Sequence, residues 1–187
     1  MHRKLVNILT VAYSCHLYAM STQLNLYRPF ADSNKHVHPV IASIKTGHCS
    51  QMSKRIIRKD AWNCTTEDGQ TYDPCFSKRF GVNTTVVCPE SPWSARSVEI
   101  RLNVPIDNHY EESLDMSRTL PWAIELKSGE RCLSVDSNQY FEDLPVHFQC
   151  HKNSVLIGEP HRCKEVWTII RHDEKGVSVV EIDRAWF

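Results

Sequence analysis

Cys49, Cys64, Cys75, Cys88, Cys132, Cys150 and Cys163 are the side chains of this sequence best able to do chemistry. A thiol can pair as a disulfide, ligate a metal or attack as a thiolate, and the redox compartment decides which of these dominates. Metal ligation has some support, because His36-x-His38, His48-Cys49, Cys150-His151 and His161-x-Cys163 set imidazole and thiol donors close together. No pair has the CxxC spacing of a zinc ribbon. His161 and Cys163 face the same side if their segment is extended, which makes them the best-placed pair. Arg162 and Lys164 flank Cys163 and favour its charged form, so Cys163 is also the candidate nucleophile of a thiol enzyme. The chain has no Gly-x-Ser-x-Gly elbow, no paired-carboxylate motif and, with six glycines, little material for a phosphate loop. The expectation is therefore no metal, no cofactor and no catalytic residue, with the cysteines paired.

That expectation depends on export. His2, Arg3 and Lys4 give a basic start, Leu5 to Ser14 is a short apolar run, and Ala19 and Ser21 are small residues at the spacing of a cleavage site. Residues 1–21 read as a signal peptide, cleaved after Ser21. The run is shorter than the roughly 20 residues of a membrane-spanning helix, so no transmembrane segment is expected. A second processing route makes Cys15 a lipid anchor. Either route places the protein outside the cytosol, secreted or in the cell envelope.

Charge narrows the partners. The chain carries 22 basic and 22 acidic residues, and loss of residues 1–21 removes only Arg3 and Lys4. A nearly neutral protein offers no concentrated surface for a phosphate backbone, so no nucleic-acid partner is expected. Lys54, Arg55, Arg58 and Lys59, interrupted by Ile56 and Ile57, read as a solvated basic face.

The elements that must position these residues are strands. Residues 22–47 are polar and aperiodic and read as a flexible tether or arm, and a disulfide-containing β-rich domain follows over 48–187. Val98, Ile100, Leu102 and Val104 alternate with polar residues, as in a half-buried strand. Trp122, Ile124 and Leu126 repeat the pattern, and Lys127 to Glu130 turns into Cys132 to Val135. Val146 to Cys150, Ser154 to Ile157, Val166 to Ile170 and Val177 to Ile182 complete an antiparallel meander of about six strands. Gln51 to Arg58 is the best place for a short helix. Between Arg58 and Pro92, turn signals recur at Asp68-Gly69, Asp73-Pro74 and Phe80-Gly81, which predicts a loop-rich N-terminal half braced by disulfides. The fold class is mainly β, a single antiparallel meander, barrel-like or sandwich-like. Cys64 with Cys75, Cys49 with Cys88 and Cys132 with Cys150 are the favoured pairs, leaving Cys163 as a free thiol. Spacing does not fix connectivity.

Asp60-Ala61-Trp62-Asn63-Cys64, Asp73-Pro74-Cys75-Phe76 and Val87-Cys88-Pro89 together resemble the AWxC, DPCF and VxC series of a family of bacterial secreted proteins with no established activity. The resemblance continues through Pro121-Trp122, Cys132, Cys150, Trp167 and Arg184-Ala185-Trp186. It implies an exported, disulfide-containing domain in which six cysteines match and Cys163 is additional. It implies no catalytic residue.

The functional expectation is an exported, non-enzymatic binding or envelope-associated protein with an unknown protein or small-molecule ligand. Trp62, Trp93 and Trp122 are the candidate ligand surface. The alternatives are a secreted hydrolase or thiol enzyme using Cys163, and an inhibitor or effector presenting Thr65 to Asp73 as a braced loop. Asp73 and Asp60 read as turn-bonding carboxylates. Asn63-Cys64-Thr65 and Asn83-Thr84-Thr85 satisfy the glycosylation pattern, which matters only in a eukaryotic host.

Overall fold

A computed structural model describes residues 21–30, 39–109, 114–151 and 153–187, and among these the chain is strand and turn without helix. The first strand, β1 (Gln23–Asn25), is followed by β2 (Val40–Met52), β3 (Ala61–Thr66), β4 (Thr71–Phe76), β5 (Phe80–Pro89) and β6 (Arg96–His109). The last five form a closed barrel in chain order. Each neighbour pair is antiparallel except the closure, where β2 runs parallel to β6 from Val40↔Arg96 to Gly47↔Leu102. A meander with an odd number of strands must close this way, since its first and last strands point in the same direction.

The second half contributes β7 (Ala123–Leu126), β8 (Arg131–Ser134), β9 (Tyr140–Phe141), β10 (Leu144–Cys150), β11 (Val155–His161), β12 (Thr168–Asp173) and β13 (Gly176–Trp186). Here β7, β8, β10, β11, β12 and β13 pair antiparallel in sequence, and β13 returns to β7 at Ile182↔Leu126 to complete the ring. This six-stranded meander is the one expected from the alternation in the sequence. β9 is a short branch on β10, and β1 lies parallel to the end of β13 at Gln23↔Arg184. The expected single meander is thus two consecutive barrels.

Interior side chains fill barrels this small. Within the first, Cys64, Cys75, Val86, Cys88, Ile100 and Ile106 form the core, so cysteine supplies half of it. Phe148, Leu156, Ile169, Ile182 and Phe187 pack round Cys132 and Cys150 in the second. The bridges are Cys49–Cys64, Cys75–Cys88 and Cys132–Cys150, each joining neighbouring strands, with Cα–Cα distances of 4.0, 4.1 and 4.0 Å. The third matches expectation. The other four cysteines pair differently from the expected Cys64–Cys75 and Cys49–Cys88, because β3 and β4 pair in a register that sets Cys75 against Trp62 and leaves Cys64 opposite Cys49 on β2.

Two further expectations change. Residues 22–47 are not simply a tether: the Thr22 hydroxyl donates to the Ile182 carbonyl (2.8 Å) and accepts from the Trp167 amide (2.8 Å), and β2 begins at Val40. The braces of the N-terminal half exist, but the chain between them is strand. Asp73-Pro74 lies inside β4, and Gly81 adopts φ 80° inside β5, so turn-type residues are absorbed by a short, irregular ladder.

Gly47 marks a tight approach of β2 to β3. A Cβ at this position would lie 2.3 Å from the Thr65 carbonyl oxygen and 2.8 Å from the Thr66 Cα, both backbone atoms that cannot rotate away. Gly47→Ala is expected to cost about 1–3 kcal/mol, as overpacking does. Thermal unfolding measures this, and an unchanged midpoint would mean that the barrel closes more loosely at this point.

Candidate functional site

The barrels meet through the segment between β2 and β3, residues 53–60, where the helix expected over Gln51 to Arg58 does not form. Its conformation is set by side-chain oxygens. The Ser53 hydroxyl bonds the Asp73 carboxylate and accepts from the amides of Arg55 (3.1 Å) and Ile56 (3.2 Å), while the Lys54 amide donates to Asp73 (3.0 Å). Asp73 thus braces the turn at residues 53–56 from within β4, and does not start a turn of its own as read from sequence. Ile56 enters an apolar joint with Phe76, Ala61, Trp122 and Ala123. Tyr27 packs on the same joint, 5.1 Å from the Phe76 ring and 5.6 Å from Trp122.

Two arginines of this segment are not the solvated face expected of them. Arg58 is buried, and its Nε and Nη2 donate to the two Asp60 oxygens at 2.9 and 2.5 Å. Its Nη1 donates to the main-chain oxygens of Tyr27 (2.7 Å) and Phe187 (2.9 Å), and the guanidinium lies 4.9 Å from the Phe76 ring centroid. Arg55 crosses from one barrel to the other, donating from Nε to the Ser134 carbonyl (2.7 Å) and from Nη1 to the Asp73 carbonyl (2.8 Å). The Ser134 hydroxyl returns a bond to the Arg55 carbonyl (2.9 Å). Burial lowers the Arg55 pKa, and the nearby Asp73 charge offsets part of that shift.

Arg55 lines two cavities. One, of about 540 Å³, is lined on the first barrel by Tyr72, Asp73, Glu90, Arg96 and Ser97 among others. The second, of about 470 Å³, lies toward the other barrel and is lined by Arg131, Ser134, Asp136, Gln149 and His151 among others. Both fall within the roughly 300–1,000 Å³ range of small-molecule sites. Arg131 is held beside the second cavity, 5.2 Å from the Trp93 ring centroid and 3.6 Å from Glu125. Lys54 reaches Asp136 at 3.2 Å.

The three tryptophans expected to form a ligand surface do not form one: Trp122 and Trp93 share the apolar joint, and Trp62 packs on the first barrel's core. Trp122 is fully buried in the joint, so it presents no surface. Trp62 is half-buried against the first barrel's core and donates its indole N–H to Ser77 (3.1 Å). Trp93 stacks edge-on against Trp186 at 5.3 Å and carries the cleft residue Arg131 on its ring. Sequence reading missed Arg55 and Arg131. The only trace of Arg55 was a basic group interleaved with isoleucines, which describes a junction as well as it describes a surface.

The thiol and metal candidates are dispersed. Cys49 and Cys150 are spent in disulfides, removing the thiols of His48-Cys49 and Cys150-His151. Cys163 is exposed and unpaired, and His161 ends β11 nearby, also exposed. Arg162 between them turns away, donating to the Met116 and Thr119 carbonyls (3.2 and 2.9 Å) and lying 4.8 Å from the Trp167 ring centroid. Among the described residues no three His, Cys, Asp or Glu side chains are grouped to hold a metal ion. Cys15, His36 and His38 lie outside the described residues, as does nearly all of the expected signal peptide. The expected loop Thr65 to Asp73 is mostly strand, with only residues 67–70 turning between β3 and β4, and that turn is pinned by a Lys45–Asp68 bridge of 2.7 Å that, with Thr66, holds the Asp68 carboxyl down at about 2. Asn83 is buried with its amide committed to the carbonyls of Lys78, Gly81 and Ile106, an environment unsuited to a glycan.

The joint also has a titration signature. The Tyr27 hydroxyl faces Ser97 without an ordinary hydrogen bond, and burial pushes its pKa up to about 12, Ser97 lowering it in part. A phenol raised from 10 favours the folded state fully below pH 10, and that contribution is lost as pH rises from 10 through 12. Ultraviolet titration of the folded protein should show one tyrosine ionising near pH 12 that disappears in Tyr27→Phe.

No family model, curated protein or solved structure matches this chain. What stands on its own is a three-disulfide, all-β arrangement of two barrels, with no helix among the described residues long and apolar enough to cross a membrane.

Proposed function

We propose that this is an exported, non-enzymatic binding or envelope-associated protein whose ligand seat is the cleft between the two barrels. The observation that carries the proposal is Arg55, a largely buried guanidinium that bridges the barrels and lines a cavity on each side. Rigid elements converging on a concave, polar-marked site are the general form of a small-molecule seat. Export is supported by the disulfides, because the first barrel's core is built half from oxidised cysteines and an oxidising compartment keeps them so. It is also supported by the basic and apolar N-terminal segment and by the resemblance to bacterial secreted proteins. Cleavage after Ser21 would leave Thr22 as the first residue, and its nitrogen already donates to the Glu165 carbonyl (2.9 Å), a bond the new terminus keeps.

Native and denaturing intact masses of the protein recovered from its own host test this reading. The expected result is a chain beginning at Thr22, a gain of six hydrogens on reduction, one thiol alkylated without reduction, and extra mass under native conditions from a cleft ligand. A full-length chain with every thiol reduced would overturn export, and a native mass with no bound ligand would overturn the binding role. A thiol-dependent activity is the second reading, favoured by the exposed, unpaired Cys163. It requires an activity that Cys163→Ser abolishes.

A further inference from the structure

We infer that the cavity of about 470 Å³ seats an oxyanion, a carboxylate or phosphate group of a small ligand, between Arg55 and Arg131. This rests on the cleft being the ligand seat and names what the seat recognises.

Charge around the cavity is one-sided. Arg55, Arg131 and His151 line it, and Asp136, the one acid among its lining residues, is bridged by Lys54 at 3.2 Å. The two guanidiniums are also unequally compensated. Arg58 and Arg171 each meet a carboxylate directly, Arg58 on Asp60 and Arg171 on Glu130 (2.9 Å) and Asp173 (2.5 Å). Arg55 instead bonds two main-chain carbonyls, and the neighbouring Asp73 carboxylate is spent on Ser53 and the Lys54 amide. A buried guanidinium that hydrogen-bonds no carboxylate, and whose burial the Asp73 charge offsets only in part, is costly, and an anion entering the cavity supplies a direct partner.

The donors suit the ligand. A guanidinium has five N–H groups in a planar fork that matches a carboxylate or phosphate edge, and Arg55 spends one on each of its two carbonyl bonds. Arg131 lies by the Trp93 ring and is tied toward Glu125 by Nε, an arrangement that stiffens the side chain and leaves its terminal nitrogens for a ligand. Placing an oxyanion between two arginines held on different barrels also makes the ligand a clamp across the joint.

The test is titration of the full oxidised chain with inorganic phosphate and, separately, succinate, followed by calorimetry and amide chemical shifts. Saturable binding with shifts at Arg55, Ser134, Gln149 and His151 is expected, the tighter probe deciding between phosphate and carboxylate. Arg131→Gln should weaken that probe about tenfold, the scale of one charge-assisted contact. Arg131 is a rim residue, and an unchanged melting temperature would separate this effect from folding. Arg101→Gln, on an exposed face of the first barrel, should leave affinity unchanged. Absence of binding by both probes, or equal losses in the two variants, would overturn the proposal. If the protein from its host carries a neutral ligand in the cleft, the oxyanion inference alone fails. If it carries none, the cleft reading fails with it.

Discussion

Arg58→Ala should lower stability by about 3–5 kcal/mol, the cost of breaking a buried ion pair by removing one partner. The variant leaves the Asp60 carboxylate buried with its bidentate donor gone and strips donors from the carbonyls of Tyr27 and Phe187. Those partners lie in three distant stretches of chain, so one side chain fastens the β1 segment, the β2–β3 connection and the end of β13. Arg58→Lys should fall between wild type and alanine, since an ammonium cannot span both carboxylate oxygens and two carbonyls in the same plane. Arg58→Met combined with Asp60→Leu should recover much of the loss, because the pair is replaced by apolar volume beside Phe76 and no charge is stranded. Denaturant unfolding of the four proteins gives the order. Arg58→Ala within 1 kcal/mol of wild type would show that the joint is held by its apolar contacts alone.

Arg58 also illustrates what a sequence pattern conveys and what it omits. In the second barrel much of the chain alternates between core and outside, so Ile124 and Leu126, Val146 and Phe148, and the stretch returning through Ile182 carry a period-two signal, with turns at Gly129 and Gly176. Those strands were legible. β2 was not, because most of its residues are exposed on the outside of the first barrel, and Val40, Ile41 and Ile44 alternate with nothing buried. β4 was hidden by Asp73-Pro74, residues that usually turn a chain and here sit within a strand. Cysteine pairing depends on register between strands, which the spacing of cysteines along the chain does not encode. At the candidate site the difficulty is of the same kind: Arg55 and Arg131 are far apart in sequence, and only the docking of two barrels brings them to one cavity.

Replacing Cys49, Cys64, Cys75 and Cys88 together by alanine should unfold the first barrel and leave the second folded. Each bridge closes a loop, with separations of 15 and 13 residues, and in the chain-entropy account each restrains the unfolded state by about 3 kcal/mol. The sum, about 6 kcal/mol, is comparable to the whole stability of a small domain, about 5–15 kcal/mol. Packing adds to the loss, since three of the four cysteines are part of the buried core. The second barrel keeps Cys132–Cys150 and a core of its own round Phe148, Leu156 and Ile169, and it loses only the joint that Ile56 and Phe76 provide against Trp122. Hydrogen exchange reads the two halves separately: amides of β3, β4 and β5 should exchange freely in the variant while those of β11, β12 and β13 remain protected. Loss of protection in both would mean that the barrels form one cooperative unit, with the joint worth more than either core. Protection retained in β3 to β5 would mean that alanine and the remaining Val86, Ile100 and Ile106 suffice to hold a five-stranded barrel closed, and that the cysteines serve export or assembly rather than folding.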